Sequence, residues 1–330
     1  LDPEIIFRIG VDKNKIQAPV NRLLFLLFTF RKIVDINPKT ILIQGGWPSL
    51  IPCLIYKYVF NKSLRLVYIF HSQPKSKSSS LVRFFYQTMF NLCDHLGFVS
   101  KTLKSKEEQI NGYVFKRDSV AITYAGFKPI KNLDKKVDSA KKKYGLNSSY
   151  PILLGLGLLY LPYKAAGAKL LIESIGKLHN QYPNIKLVLT GEGRYFEPIK
   201  NFVDKNQLSN FVQFPGFVEN QWDMISLCDI YTHISFGEGL PISIYETMSA
   251  GKPIIAAYEG GGIPEIIVQN KNGILVSRDK NEIMDAVRKI CSNSAFAAKI
   301  SNNAKQTIEE KFSAYNMAKR FHDIHSSNKL

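Results

Sequence analysis

The sequence predicts an α/β protein of two domains, each a parallel sheet wrapped by helices. Three observations carry this. The chain has 330 residues, about twice a common domain length. Short apolar runs alternate along it with longer stretches of helical period. Its charge is also unequally divided: of the +17 net charge, residues 1–150 carry +15 and residues 151–330 only +2.

In the first half the runs at 40–44 (TILIQ), 66–70 (LVYIF) and 96–100 (LGFVS) read as buried strands, with helices around 20–36, 47–60 and 81–93. In the second half strands are expected at 152–156, 186–190, 211–214, 229–234, 254–257 and 274–276. Helices are expected at 166–180, 195–206, 241–250, 279–292 and 295–311. Between the halves, 128–150 is lysine-rich (Lys128, Lys131, Lys135, Lys136, Lys141, Lys142, Lys143) with few apolar residues, and reads as an exposed linker. The division is therefore 1–127, a linker at 128–150, and 151–311. Parallel sheets bind ligands beyond the carboxyl ends of their strands, so the loops that follow strands are where chemistry belongs.

Composition narrows the class. Forty-five per cent hydrophobic and 22% charged residues exclude a disordered chain. Cys53, Cys93, Cys228 and Cys291 are widely spaced and show no C-x-x-C pair, which speaks against a disulfide framework or zinc site and suits a reducing compartment. The apolar run Leu23–Phe28 is far shorter than a membrane span and no signal-peptide pattern precedes it. A soluble or peripheral protein is expected. With cations on either side, the stretch around 20–32 reads as a buried sheet helix or an in-plane membrane helix. The basic half suits an anionic partner; no nucleic-acid motif accompanies the charge, so nucleic acid is not expected.

The most informative segment runs from Ser235 to Pro253, SFGEGLPISIYETMSAGKP. It turns through Gly237 and Gly239, opens a helix at Pro241, and closes it at Gly251 with Pro253 beyond. Backbone amides at Gly239, Leu240 and the helix start make an anion site. Phosphate there would be repelled by Glu238 or Glu246 unless these carboxylates meet another part of the ligand, such as sugar hydroxyls. On the residues alone, Glu246 reads equally as a solvated helix face.

E-x7-E (Glu238, Glu246), set in S-x-x-E-G-L-P…E-x-M-x-A-G-x-P, resembles the donor-site signature of retaining glycosyltransferases of family 4 (glycosyl transferases group 1). Flanking segments resemble the same family in the same order: KLVLTGEGR at 186–194, FPGFV at 214–218, EGGGIPE at 259–265 and GILV at 273–276. In the first half the strand ending at His71, the strand ending at Ser100, and Tyr124-Ala-Gly126 agree as well. The likeness covers roughly 20–325 and implies the GT-B fold of two facing Rossmann-like domains, with 312–330 returning to the first. It implies roles too. Glu246 would accept from the nucleotide ribose; Glu238 would face the transferred sugar near its 3-hydroxyl. Gly239 and Leu240, with Pro241 behind them, would hold sugar or diphosphate, beside Gly191 of the G-x-G turn. Phe217 and Val218 would line the base pocket. His71 would contact the sugar near the reacting carbon, its other reading being a capped strand-end histidine. Lys164 would neutralise the diphosphate.

Two departures stand out. Leu158 occupies the place of the family's diphosphate-binding arginine and the spacing to Lys164 is altered, with Arg194 a candidate substitute. Family members also open with a strand, a Gly-Gly loop and a helix before the region matched by Leu1–Gly10; this unit is not found here, and Gly45-Gly46 follows a later strand. The resemblance implies a metal-independent hexosyltransferase-type enzyme without cofactor, using a nucleotide diphosphate-sugar, a UDP-sugar favoured. The acceptor would be a lipid-linked or surface polysaccharide precursor. With the basic half against anionic lipid, the expected location is cytoplasmic, peripheral on the inner face of the membrane. The rivals are a truncated nucleotide-sugar-binding protein without activity, and another GT-B enzyme such as a sugar-nucleotide epimerase or a phosphorylase.

Overall fold

The structure is a computed structural model describing residues 19–44, 47–72, 74, 78–116, 119–128, 133 and 137–326. Leu1–Gly10 and the pair Gly45-Gly46 lie outside the described residues. The chain divides into two units: Leu1–Val99 with Lys104–Thr123, and Ser100–Leu103 with Tyr124–Leu330.

The first unit contains α1 (Pro19–Ile36), β1 (Thr40–Ile43), α2 (Trp47–Ile55) with a π-helical turn at Tyr56–Phe60, β2 (Arg65–Phe70), α3 (Ser80–Asn91), β3 (His95–Phe98) and β4 (Val120–Ile122). All strand pairs are parallel, in the order β1-β2-β3-β4. Ser79 caps α3 by accepting from the Val82 amide. The core is aromatic: Phe70 stacks on Phe98 at 4.4 Å and meets Phe90 edge-on at 4.9 Å. Lys57 is buried, and its charge is answered by Asp94 at 2.8 Å. The helix α4 (Lys101–Lys106), its π-helical continuation Glu107–Asn111 and β4 were absent from the sequence expectation, being too short to show a period.

The second unit contains α5 (Val137–Lys143), β5 (Ile152–Leu156), α6 (Pro162–Leu178), β6 (Lys186–Thr190), α7 (Phe196–Lys205), β7 (Val212–Gly216), α8 (Gln221–Leu227), β8 (Ile230–His233), α9 (Ile242–Ser249), β9 (Ile254–Ala257), β10 (Ile274–Val276), α10 (Lys280–Ser292), α11 (Ser294–Lys311) and α12 (Ala314–Ser326). Its parallel sheet runs β10-β9-β8-β5-β6-β7. From β5 the chain steps to β6 on one side and later returns to β8 on the other. The ends of β5 and β8 are therefore the topological switch point, where such sheets bind ligands. Strand alternation sends Leu153, Leu187 and Ile230 into one core cluster and Ile152, Leu154 and Tyr231 into the other. Each fully buried leucine or isoleucine contributes roughly 1.5–3 kcal/mol.

Two expectations about the ends of this unit are corrected. Residues 128–150 are not simply an exposed linker: α5 lies within them, and Leu133, Ala140 and Leu146 are buried in the second core cluster. Three apolar residues at helical and turn spacing suffice to dock a segment whose lysines stay outside. The end of the chain groups with the second unit rather than the first. The Phe127 amide donates to Phe312 at 2.8 Å and Ala314 returns the bond at 3.1 Å, while a side chain on Gly126 would collide with Met317. No helix among the described residues is long and apolar enough to cross a membrane. All four cysteines are free.

Candidate functional site

The candidate site is assembled at the switch point by the loops after β5 and β8. The residue after β8, Ile234, is fully buried, and the chain then passes through Gly237 into the loop that carries Glu238. Helix α9 begins at Ile242; Pro241 is its extended N-cap (φ −73°, ψ 128°), one residue earlier in the cap than the sequence reading placed it. A proline cannot cap with its side chain; the Ile244 amide donates to the Pro241 carbonyl at 3.2 Å, and the two amides before it, Ile242 and Ser243, keep donor capacity for a ligand. The helix closes at Ala250, and Gly251 follows at φ +65°, a left-handed turn suited to glycine.

Helix α6 comes to this loop by close approach. A Cβ on Gly167 would lie 1.5 Å from the Ile234 carbonyl oxygen, so only glycine lets α6 rest against the end of β8. Less than a turn earlier, Lys164 Nζ reaches Glu238 Oε1 at 2.8 Å. Tyr163 fills the space beside Gly237, its ring 2.9 Å from where a Cβ would stand. Glu238 also accepts from Ser235 Oγ at 3.2 Å and has His233 Nε2 at 3.5 Å. Burial pushes this carboxyl up, but His233 and Lys164 together outweigh burial and bring it from 4.5 to about 2. Glu238 is a fixed anion.

Glu246 lies on α9 and is buried, 8% exposed, so it is not a solvated helix face. Gln221 Nε2 donates to its Oε1 at 2.5 Å. Burial raises its pKa and the Gln221 bond only partly opposes that. Gly239 is held by its carbonyl, which accepts from the Gly262 amide at 2.9 Å and from Ser100 Oγ at 3.4 Å. Leu240 packs on the second core cluster, as does Val218, whereas Phe217 is 72% exposed after β7. Gly191, at φ +99°, follows β6 and donates to the Gly216 carbonyl at 2.8 Å. The Arg194 guanidinium is exposed and stands 5.7 Å from the Tyr160 ring centroid. Leu158 is fully buried in the first core cluster, so the position belongs to the core and offers no surface for charge. His71 lies in the first unit, exposed at the carboxyl end of β2.

Residues 136–307, more than half of the chain, match the family model of glycosyl transferases group 1. The chain belongs to that family. This group 1 glycosyltransferase is 25% identical over 291 residues to an uncharacterised glycosyltransferase of Methanocaldococcus jannaschii, MJ1069, covering 84% of this chain and 71% of the other. It is 24% identical over 159 residues to the poly(ribitol-phosphate) alpha-N-acetylglucosaminyltransferase of Staphylococcus aureus, covering 48% of this chain and only 32% of that protein. Among solved structures, Anabaena HepE in complex with UDP superposes with a TM-score of 0.79 at 19% identity, over 94% of this chain and 85% of that one. TarM superposes with a TM-score of 0.74 at 16% identity, over 92% and 58%. With two parallel-sheet Rossmann-like units, these likenesses show the GT-B fold.

Sequence alone gave no role to His233, Tyr231 and Gln221, and placed Glu265 only within the EGGGIPE segment. A signal existed for the first two: in D-I-Y-T-H-I alternation puts Tyr231 and His233 on one face of a buried strand, directly before the E-x7-E loop. Gln221 stands 25 positions before its partner, with nothing local to mark it. Glu265 accepts from the Lys101 and Thr102 amides at 2.9 and 2.7 Å and from Tyr124 at 2.6 Å, which holds the α4 start to this unit. Burial raises its pKa, but these donors outweigh it and the net shift is downward.

Proposed function

We propose that this enzyme transfers a sugar from a nucleoside-diphosphate sugar, a UDP-sugar favoured, with retention of anomeric configuration. The observation that carries the reading is the Lys164–Glu238 pair, 2.8 Å apart, beside the uncapped start of α9. The reaction must stabilise a leaving diphosphate. Lys164 and the α9 amides supply positive charge there without a resident metal. Glu238 then meets the sugar hydroxyls and Glu246 the ribose. Retention is in keeping with the resemblance of the E-x7-E segment to retaining enzymes; Glu238, ion-paired to Lys164, is ill suited to act as a general base. That HepE was crystallised with UDP, and with UDP and glucose, supports the donor class. Arg194 is a secondary candidate for the diphosphate and Phe217 for the base; His71 keeps its proposed contact near the reacting carbon.

The acceptor we propose is a lipid-linked or surface polysaccharide precursor, in keeping with the S. aureus relative, a poly(ribitol-phosphate) alpha-N-acetylglucosaminyltransferase. The first unit would hold the enzyme to an anionic membrane. Helix α3 buries Met89 and Phe90 but exposes Leu81 at 79% and Phe84 at 72%; Phe84 lines one groove with Val114, Arg83 and Lys116. Apolar side chains set among cations suit an anionic lipid surface.

A panel of UDP-, GDP- and dTDP-sugars, scored by thermal shift and donor hydrolysis, tests the donor reading. A ligand at 100 times its Kd stabilises by about 2.7 kcal/mol. A flat melting temperature with every nucleotide overturns the reading. For the membrane, binding to phosphatidylglycerol vesicles should rise with acidic lipid and fall between about 0.05 and 0.5 M salt. Phe84→Ser should weaken it, and indifference to acidic lipid removes the argument for a lipid-linked acceptor.

A further inference from the structure

Behind the Lys164–Glu238 pair stands a second, fully buried set of polar groups. His233 is 1% exposed at the end of β8. Its Nδ1 lies 3.0 Å from the Tyr231 hydroxyl and its Nε2 3.5 Å from Glu238 Oε1. Tyr231 is itself fully buried, and burial raises its pKa, so the phenol keeps its proton. No described group other than Glu238 lies within ion-pair reach of Nε2, and at 3.5 Å that contact is longer than an ordinary hydrogen bond.

We propose that His233 is a positioning residue for Glu238, presenting an Nε2 proton to the carboxylate, with Tyr231 selecting the tautomer. The phenol has one proton and two side-chain neighbours, His233 Nδ1 and the Ser243 hydroxyl. When Ser243 donates to the phenol oxygen and the phenol donates to Nδ1, the neutral imidazole must carry its own proton on Nε2, toward Glu238. The opposite tautomer would set the Nε2 lone pair against a buried carboxylate and is disfavoured electrostatically; the imidazolium also presents an Nε2 proton. Either allowed state therefore donates toward Glu238. The role follows from competition for Lys164. One ammonium serves Glu238 now, and a diphosphate would draw on it. His233 leaves Glu238 a second partner at the same Oε1, so its carboxylate stays ionised and aimed while Lys164 turns to the leaving group. Catalytic contacts are often long without substrate and tighten with it, and a 3.5 Å separation leaves room for that. The inference rests on the reading of Glu238 as the group that meets the transferred sugar.

Among the groups facing Glu238 are Lys164 and Tyr163 from α6, Ser235 from the loop, and His233 with Tyr231 from β8, whose hydroxyl is also bonded by Ser243 of α9. The test uses the full chain. 15N-histidine NMR should show His233 protonated on Nε2, and 13C-carboxyl NMR, assigned with Glu238→Gln, should show Glu238 ionised well below its ordinary range. His233→Leu should raise the Glu238 titration and lower kcat for UDP-glucose hydrolysis about tenfold with KM unchanged, the order of one lost hydrogen bond to a charged group. His233→Gln, whose amide reaches toward the Nε2 place, should recover kcat to within about threefold. Tyr231→Phe keeps the shape and should fall between them. A proton on Nδ1 alone, or an unchanged Glu238 titration in His233→Leu, overturns the proposal. If His233→Leu does not fold, Tyr231→Phe and His233→Gln decide it by the same two resonances. If the wild-type chain turns over no nucleotide sugar, the donor reading fails, while tautomer and titration still judge the role of His233.

Discussion

Glu238 and Glu246 stand eight positions apart on one segment, and burial acts on both in the same direction. Their pKa values nevertheless move oppositely, Glu238 down to about 2 and Glu246 up. The difference lies in the partners. The end of β8 brings His233 at 3.5 Å and α6 brings Lys164 at 2.8 Å to Glu238; among the described residues Glu246 receives only the neutral Gln221 amide. A carboxylate with a cation already paired is an element of a fixed electrostatic field. One with a single neutral donor keeps acceptor capacity and gains from a ligand that brings two hydroxyls.

Removing the cation breaks this contrast most strongly. In Lys164→Met, Glu238 should lose part of its depression, the share held by His233 remaining, and unfolding should cost about 3 kcal/mol less, the scale for one partner deleted from a buried pair. Denaturant titration at pH 7 checks this. The sign is set by linkage: a depressed carboxyl contributes stability above its unfolded value, 4.5, and loses it as pH falls toward about 2. The gap between wild type and Lys164→Met should therefore narrow in acid. A gap independent of pH would mean that the pair contributes packing rather than charge.

Next in size is the exchange of roles between the two glutamates. Glu246→Ala should weaken UDP by roughly 1.5–3 kcal/mol, about ten- to 150-fold in Kd by calorimetry. Glu238→Ala should leave that Kd near normal and reduce turnover. Equal effects on nucleotide affinity would erase the distinction. Glu246→Gln should also leave the ligand-free protein as stable as wild type or more so at pH 7. A raised carboxyl contributes most below its unfolded value and loses that as pH rises through its folded value.

The smallest effect is on pH dependence. UDP affinity should decline as pH falls through the raised Glu246 value, while Glu238 stays ionised over the same range. In Glu246→Gln the decline should vanish. A decline that survives this substitution would assign the proton elsewhere.

The sequence by itself determined the alternation of strands and helices and the place of the E-x7-E loop. Period and turn chemistry are local: 152–156, 186–190, 254–257 and 274–276 are strands at those bounds. Gly251 closes α9 as a left-handed residue because only a chain without Cβ turns there cheaply. E-x7-E was visible for the same reason, its two carboxylates being set by one loop and one helix. The tertiary structure decided everything that depends on residues distant in the chain. It buried Leu133, Ala140 and Leu146 where lysines had suggested a solvated linker, and took α12 into the second unit. It gave Glu246 to Gln221 and Glu238 to Lys164, pairings 25 and 74 positions apart. The physical reason is that a carboxylate's charge state follows its desolvation and nearest donors, and both are set by how helices pack across a sheet. The opposite behaviour of two identical side chains on one helix turn and its loop was therefore decided by their packed neighbours: His233 at the end of β8, and Lys164, which Gly167 lets α6 carry there.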